Sequence, residues 1–340
     1  MYPKIIMRYL LLTFLIVCFN TSNAQNKYTV VQLDSLGKNV PKEYEESIDK
    51  LANYFLSLSE NKSEQSRLVY SWVAHHICYD DNAFNTRIYT DQSAQSIFKS
   101  RKAVCAGYSS LFKAICDAMN LSSVAIDGFA KGYGFRSGMP VTGTNHSWNA
   151  VKYNDQWHLL DATWGSGYAE NINGKAQSKS VYNTYWFDVP AKEFIFSHFP
   201  DSSNYQFLGK KYTREQFKKL IYCESNSIFQ LGFNADSILV KSQADPKFRL
   251  PDVYNLEKSS FKIKSAPYNK IVKSTSPCYF EIEQLSNDTV VLLNNQDLII
   301  LDAKSENVFT KTVEQLKHGE LHIGILRGEA VEIIVTYKVI

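Results

Sequence analysis

The stretch Lys102-Ala103-Val104-Cys105-Ala106-Gly107-Tyr108-Ser109-Ser110-Leu111-Phe112 decides how the chain is read. Tyr108, Leu111, Phe112, Ile115 and Met119 fall at i, i+3, i+4, i+7 and i+11, so the spacing predicts a helix with one buried face. Cys105 stands ahead of that face, in the first turn. There the unpaired N–H groups and the positive end of the helix dipole favour a thiolate. Gly107 and the neighbouring serines keep the surroundings small enough for a substrate to reach the sulfur. A lone cysteine is more often an inert core residue, so the meaning of Cys105 depends on what the rest of the chain brings to it.

Upstream, Lys4 and Arg8 make a basic start, Tyr9 to Phe19 is a short apolar run, and Ser22-Asn23-Ala24 offers small residues. Residues 1–24 therefore read as a secretory signal peptide with cleavage between Ala24 and Gln25. The run is too short for a comfortable membrane span. Cys18 raises lipidation, which is the weaker alternative because Ile16-Val17 lacks the small residue such cleavage needs. The protein is expected to be exported from a bacterial cell, periplasmic or extracellular, with no stable membrane span. The 37 basic residues include Lys4 and Arg8, and the chain carries 34 acidic ones. That balance argues against nucleic-acid binding, which needs a basic face. Beyond the leader stand Cys78, Cys105, Cys116, Cys223 and Cys278, an odd number that leaves at least one thiol unpaired. Their spacings match no zinc pattern.

Residues Pro41 to Phe55 and Ser63 to Ile77 show helical periodicity, and Ser93 to Ser100 reads as a short helix leading into the Cys105 loop. His75 and His76 are adjacent and cannot point the same way on a helix, which disfavours a metal site. After the Cys105 helix the period becomes that of strands. Val124 to Phe129 is the first, and Lys131 to Thr144 is a glycine-containing loop. A hairpin follows, from Asn145-His146-Ser147-Trp148-Asn149 through a turn at Asn154-Asp155 to Gln156-Trp157-His158-Leu159-Leu160-Asp161-Ala162-Thr163-Trp164-Gly165.

The turn sets a register. With Asn154 and Asp155 as a two-residue loop, Tyr153 pairs with Gln156 and Trp148 lies opposite Asp161. His146 and Asp161 then share one face as diagonal neighbours, about 7–8 Å apart and within reach of each other. A slip of one residue would part them. His158 falls on the other face. Gly165 to Ser180 reads as a polar loop, Tyr182 to Phe207 as a dense aromatic zone, and Thr213 to Tyr222 as a short helix. From about residue 225 the chain shows alternating strands with no convincing helix, which predicts a β-sandwich. The organisation expected is a signal peptide (1–24), an α+β domain (25–224) and a β-sandwich domain (225–340).

Cysteine at a helix start, histidine at a strand start and aspartate on the next strand form the arrangement of an activated thiol. Histidine takes the proton, carboxylate fixes the tautomer, and helix N–H groups receive the oxyanion. The blocks Val104-Cys105-Ala106-Gly107-Tyr108, Asn145-His146-Ser147-Trp148-Asn149-Ala150-Val151 and Trp157-His158-Leu159-Leu160-Asp161-Ala162-Thr163-Trp164-Gly165 resemble those of the transglutaminase-like superfamily. The segments Tyr185-Trp186-Phe187 and Glu193-Phe194-Ile195-Phe196-Ser197-His198-Phe199-Pro200 resemble the subgroup related to the kyphoscoliosis peptidase. That subgroup usually has glycine where Ala103 stands.

The resemblance covers about Pro41 to Leu220. It implies a papain-like core, in which a helix-borne cysteine packs on an antiparallel sheet, followed by an immunoglobulin-like domain. It assigns Cys105 as nucleophile, His146 as base and Asp161 as the orienting acid. Tyr108, Trp148 and Trp164 are expected to wall the site, and His198 to be a packed or capping histidine near it. Asn-x-Ser/Thr triplets at Asn61, Asn120, Asn145 and Asn287 read as chance in an exported bacterial protein. The activity expected is hydrolysis of a peptide or amide bond, in a protein substrate or a cell-envelope polymer, without a metal or organic cofactor. The alternatives are amine transfer by a transglutaminase and a non-catalytic binding protein. The β-domain carries no chemical motif and suits a protein or glycan partner.

Overall fold

The computed structural model describes residues 26–223, 227–254, 261–285 and 288–340. The expected signal peptide (with Cys18), the domain boundary near 224–226 and the Asn287 triplet lie outside the described residues. Among those described, no helix is long and apolar enough to cross a membrane.

Helix α1 (Val30–Lys38) starts at Thr29, which forms a reciprocal capping box with Gln32. Helix α2 (Ile48–Leu58) begins at the Ser47 cap and buries Ile48, Leu51, Ala52 and Phe55 on one face. Helix α3 (Lys62–His76) is buried almost all round, so its polar residues find partners: Arg67 forms a two-pronged ion pair with Asp34 at 2.7 and 2.8 Å. Strand β1 (Cys78–Tyr79) pairs in parallel with β2 (Lys102–Ala103), and α4 (Asp81–Thr86) and α5 (Ala94–Ser100) fill the crossover between them. This pair delivers the chain into α6 (Cys105–Ala118), whose buried face carries Tyr108, Leu111, Phe112 and Ile115 as the spacing requires. Phe55, Leu68 and Phe112 have no exposed surface, and each contributes about 1.5–3 kcal/mol over an exposed counterpart.

Helix α6 packs against β3 (Ser123–Ala130) and β4 (His146–Tyr153). The turn from β4 to β5 (Gln156–Leu160) has φ of 49° at Asn154 and 58° at Asp155, the double left-handed conformation of a tight hairpin. Tyr153 pairs with Gln156 and Asn149 with Leu160, the register expected from the turn. The strand does not run on to Gly165, however. It stops at Leu160, because the Asp161 side chain accepts the Trp164 N–H at 2.9 Å and caps α7 (Ala162–Ser166).

The segment expected as a polar loop is also structured. It forms a hairpin of β6 (Gly167–Ile172) and β7 (Lys175–Ser180), turned by Asn173-Gly174 at φ 53° and 79°. Strand β8 (Phe187–Val189), helix α8 (Ala191–Phe194) and strand β9 (His198–Pro200) then complete an antiparallel sheet in the order β8-β5-β4-β3-β9.

The C-terminal part is not free of helix. After α9 (Arg214–Lys219) and α10 (Ser227–Gln230) comes α11 (Ala235–Ala244), capped by Asn234, whose side chain accepts the Ser237 N–H. Among the described residues, the regular elements that follow are all strands: β10 (Asp252–Val253), β11 (Phe261–Ser265), β12 (Ile271–Val272), β13 (Cys278–Gln284), β14 (Thr289–Asn294), β15 (Asp297–Ile300), β16 (Asp302–Ser305), β17 (Val308–Val313), β18 (Gly319–Arg327) and β19 (Ala330–Val339). They form two sheets, β10-β19-β18-β14-β15 with β12 added alongside β19, and β11-β13-β17-β16. Phe261, Phe280 and Ile282 of one sheet share a core with Val290, Leu292, Ile323 and Val335 of the other, as in a β-sandwich. The same apolar cluster takes in Phe129 of β3 and Phe199 of β9. The sandwich therefore packs continuously onto the sheet that carries the candidate site.

Candidate active site

Cys105 is the first residue of α6. The preceding Val104 is extended and offers no side-chain cap, so the turn is held another way: its backbone N–H donates to Gln92 Oε1 at 3.1 Å. Gly107 is required by the same contact. A Cβ there would lie 2.6 Å from Gln92 Oε1 and 2.7 Å from the Ala103 methyl. Helix and sheet are fixed to each other by reciprocal bonds, Ser109 Oγ donating to Trp148 O at 2.9 Å and Asn149 Nδ2 donating to Ser109 O at 3.0 Å. Cys105 at the helix start is thereby set against His146 at the start of β4.

His146 Nε2 lies 2.6 Å from Asp161 Oδ2. A carboxylate accepts, so Nε2 carries the proton and Nδ1 is the nitrogen left toward Cys105, whose ionisation His146 favours. The electrostatics follow. Burial alone would lower the His146 pKa, but the Asp161 charge and the bonds to Asp161 and Cys105 raise it to about 10. Burial pushes the Cys105 thiol up, and the His146 hydrogen bond and charge with the Ser147 backbone N–H bring it below its ordinary value. Burial likewise opposes ionisation of Asp161, which has no exposed surface. His146 and His198 nonetheless hold it well below the usual carboxylate range. Both shifts favour a thiolate beside an imidazolium, backed by a carboxylate.

The structure thus brings Cys105, His146 and Asp161 together. Of the three aromatic residues expected to wall the site, Trp164 is half-buried and lies 5.5 Å from the His146 ring, between centroids. Tyr108 and Trp148 are 1% exposed, and Tyr108 donates its hydroxyl proton to Ile77 O at 2.6 Å. Both are core residues beneath the site. His158 lies apart, stacked on Tyr153 and 2.6 Å from Asp188. His75 and His76 each bond to the carbonyl one turn back on α3. The Asn145 amide bonds both ways to the Ala130 backbone, at 2.7 and 3.0 Å, and so fixes the chain just ahead of His146. Cys78, Cys105, Cys116, Cys223 and Cys278 are all unpaired thiols.

One residue has a larger part than its sequence position suggests. His198 Nε2 lies 3.1 Å from the same Asp161 Oδ2 that receives His146. Its place depends on β9 pairing with the end of β3, Ala130 opposite His198, a long-range contact that no local pattern announces. His146, Asp161 and His198 are also the group among the described residues whose ligand atoms, all within 4.8 Å of one another, lie close enough to hold a metal ion. Here both imidazoles bond directly to one carboxylate oxygen, and the remaining His146 nitrogen faces sulfur, so the hydrogen bonds account for the cluster as it stands.

A family model described as the transglutaminase-like superfamily matches residues 49–162, a span that holds Cys105, His146 and Asp161 and stops short of His198. Human kyphoscoliosis peptidase is 32% identical over 179 residues, covering 52% of this chain and 27% of that protein. Hillarin of Drosophila melanogaster is 22% identical over 207 residues, covering 57% of this chain and 25% of its own. The matched region spans about a quarter of the length of these curated relatives. Red sea bream transglutaminase superposes with a TM-score of 0.28 at 10% identity, covering 88% of this chain and 53% of its own, too loosely to carry weight.

Proposed function

The chain carries a transglutaminase-like domain related to that of the kyphoscoliosis peptidases, and on that footing we propose that it is a cysteine-dependent peptidase or amidase. The observation that carries this reading is the placement of His146 between the Cys105 thiol and the Asp161 carboxylate, 2.6 Å from the latter, at the N-terminus of α6.

Cys105 sulfur attacks the carbonyl carbon of the substrate, and the carbonyl electron pair moves to oxygen. That oxygen meets the first N–H groups of α6, which have no carbonyl one turn earlier to bond. His146 gives its Nδ1 proton to the amide nitrogen, the C–N bond breaks, and a thioester remains on Cys105. Water then attacks the thioester while His146 takes its proton, releasing the acid and restoring the ion pair. Asp161 stays ionised throughout and holds the imidazole in one tautomer.

Water rather than an amine as acceptor is supported by the likeness to human kyphoscoliosis peptidase, named for peptidase activity. With residues 1–24 read as an export signal, the substrate lies in the envelope or outside the cell. The test is a peptide-library digest read by mass spectrometry, run beside a labelled primary amine, for the wild type and Cys105→Ala. Cleavage that disappears in the variant supports hydrolysis. Amine incorporation without cleavage replaces it by acyl transfer, and activity unchanged in Cys105→Ala overturns the reading.

A further inference from the structure

We propose that His198 is a positioning residue for the Cys105 site, clamping the Asp161 carboxylate so that it presents one fixed oxygen to His146. The inference rests on the reading of Cys105 as the reacting thiol.

The carboxylate receives three N–H donors. Trp164 N–H bonds to Oδ1 at 2.9 Å, and His146 and His198 meet at Oδ2 at 2.6 and 3.1 Å. Because Oδ2 only accepts, His198 Nε2 must carry a hydrogen. The other nitrogen, Nδ1, lies 2.8 Å from Ser197 Oγ, which donates to it and so selects that tautomer. The ring cannot turn out of this arrangement. It stacks on Phe194 at 4.0 Å and is closed in by Trp164 at 4.4 Å and Trp148 at 5.0 Å, between centroids. A packing role alone would be served by an apolar side chain, and burying an imidazole with both nitrogens engaged costs desolvation that only its bonds offset.

His198 must also remain uncharged, since a second cation beside His146 would weaken the imidazolium. Burial keeps it neutral, lowering its pKa to about 4. The ionisable groups facing this cluster are His146 from β4, Cys105 and Tyr108 from α6, and Tyr70 from α3, each acting on Asp161 or acted on by it. None supplies Asp161 with a donor in place of His198. Without the His198 N–H, the buried carboxylate loses one of its three donors and is freer to rotate away from His146. The thiolate–imidazolium pair then collapses at higher pH.

The experiment is the rate of iodoacetamide alkylation of the full chain from acid to alkaline pH, for the wild type, His198→Phe, His198→Gln, Ser197→Ala and Cys105→Ser. His198→Phe keeps the aromatic bulk without a donor and should move the acid limb up by about one pH unit, making labelling on that side about tenfold slower. His198→Gln, whose amide restores an N–H toward Asp161, should return most of the profile, and Ser197→Ala should give a partial shift in the same direction. Profiles of His198→Phe and His198→Gln that coincide with the wild type, with near-ultraviolet dichroism unchanged, overturn the proposal. If His198→Phe fails to fold, an unshifted Ser197→Ala profile overturns it instead. A wild-type thiol that labels like an ordinary cysteine, or no faster than Cys105→Ser, overturns the underlying reading of Cys105 and this inference with it.

Discussion

Tyr153 pairs with Gln156 across a two-residue turn, and that pairing carries Asp161, five residues on, to within 2.6 Å of His146. Each turn residue has a positive φ, 49° at Asn154 and 58° at Asp155. Glycine adopts this conformation without the cost a Cβ brings, and Asn-Gly is the preferred pair for such turns. Asp155→Gly is therefore expected to stabilise the protein, by up to about 1 kcal/mol, and Asp155→Val to destabilise it. Urea midpoints of the three proteins check this, and an order other than Gly, Asp, Val would mean that the turn does not govern the register.

The coupling of thiol and imidazole makes a distinctive prediction for stability against pH. In the folded state His146 keeps its proton to about 10, against 6.5 ordinarily, while Cys105 loses its proton below the ordinary 9.0. The raised His146 pKa makes the folded chain hold an extra proton between 6.5 and about 10, so its stabilising contribution is lost as pH rises through that window. The lowered Cys105 pKa acts the other way, because just below 9.0 the unfolded chain keeps the thiol proton that the folded chain has released. The thiol therefore offsets part of the His146 slope. Asp161 acts on the acid side, since its contribution is lost as it protonates. Cys105→Ser removes one half of the balance, and its decline should begin near 6.5 as pH rises. Urea midpoints that fall more steeply with rising pH in Cys105→Ser than in the wild type are the expected result. Two flat profiles would mean that His146 is uncharged in the folded protein.

The features of the site that read directly from sequence are those set by local spacing: the apolar face behind Cys105 and the turn that fixes the His146 register. What did not read has definite physical causes. Asp161-Ala162-Thr163-Trp164 continues an apolar, strand-like pattern, and only the Asp161 side chain, by capping a helix, ends the strand. The β6–β7 hairpin is polar on both faces, and its one signal is the Asn173-Gly174 turn. Helix α11 follows an Asn cap but has a weak apolar periodicity, burying only Ala235 and Ile238. His198 reaches Asp161 through a strand pairing between segments far apart in sequence, where local spacing carries no information.

Gly107→Ala tests whether the helix start is as tightly fitted as the geometry says. In an exposed helix the change would gain about 1 kcal/mol. Here the new methyl would lie 2.6 Å from Gln92 Oε1, 2.7 Å from Ala103 Cβ and 2.9 Å from Ile97 Cγ1. Overpacking of that kind typically costs about 1–3 kcal/mol. The clash also pushes on Gln92, which holds the Val104 N–H next to Cys105. Thermal denaturation should show a loss, and alkylation of Cys105 should slow with it. A gain in stability would mean that this turn is loose.

Asp161→Asn separates the role of the carboxylate's charge from that of its shape. The aspartate accepts three N–H bonds, from His146, His198 and the Trp164 backbone. An amide has one accepting oxygen. If that oxygen faces the two histidines, the amide NH2 confronts the Trp164 N–H, and the helix cap of α7 is lost at about 1 kcal/mol. The alternative orientation opposes donors to both histidines and costs more. Loss of the negative charge also removes the main support of the His146 imidazolium, whose pKa should fall toward its ordinary value and take the thiolate with it. The variant should therefore show lower stability, slower alkylation at acidic and neutral pH and reduced turnover, with substrate binding little changed. The loss of turnover should be smaller than in Cys105→Ala, because a thiol that remains can still react through its minor ionised fraction. Equal losses in the two variants, in folded protein, would make Asp161 as indispensable as the sulfur and would mean that the carboxylate does more than orient and charge His146.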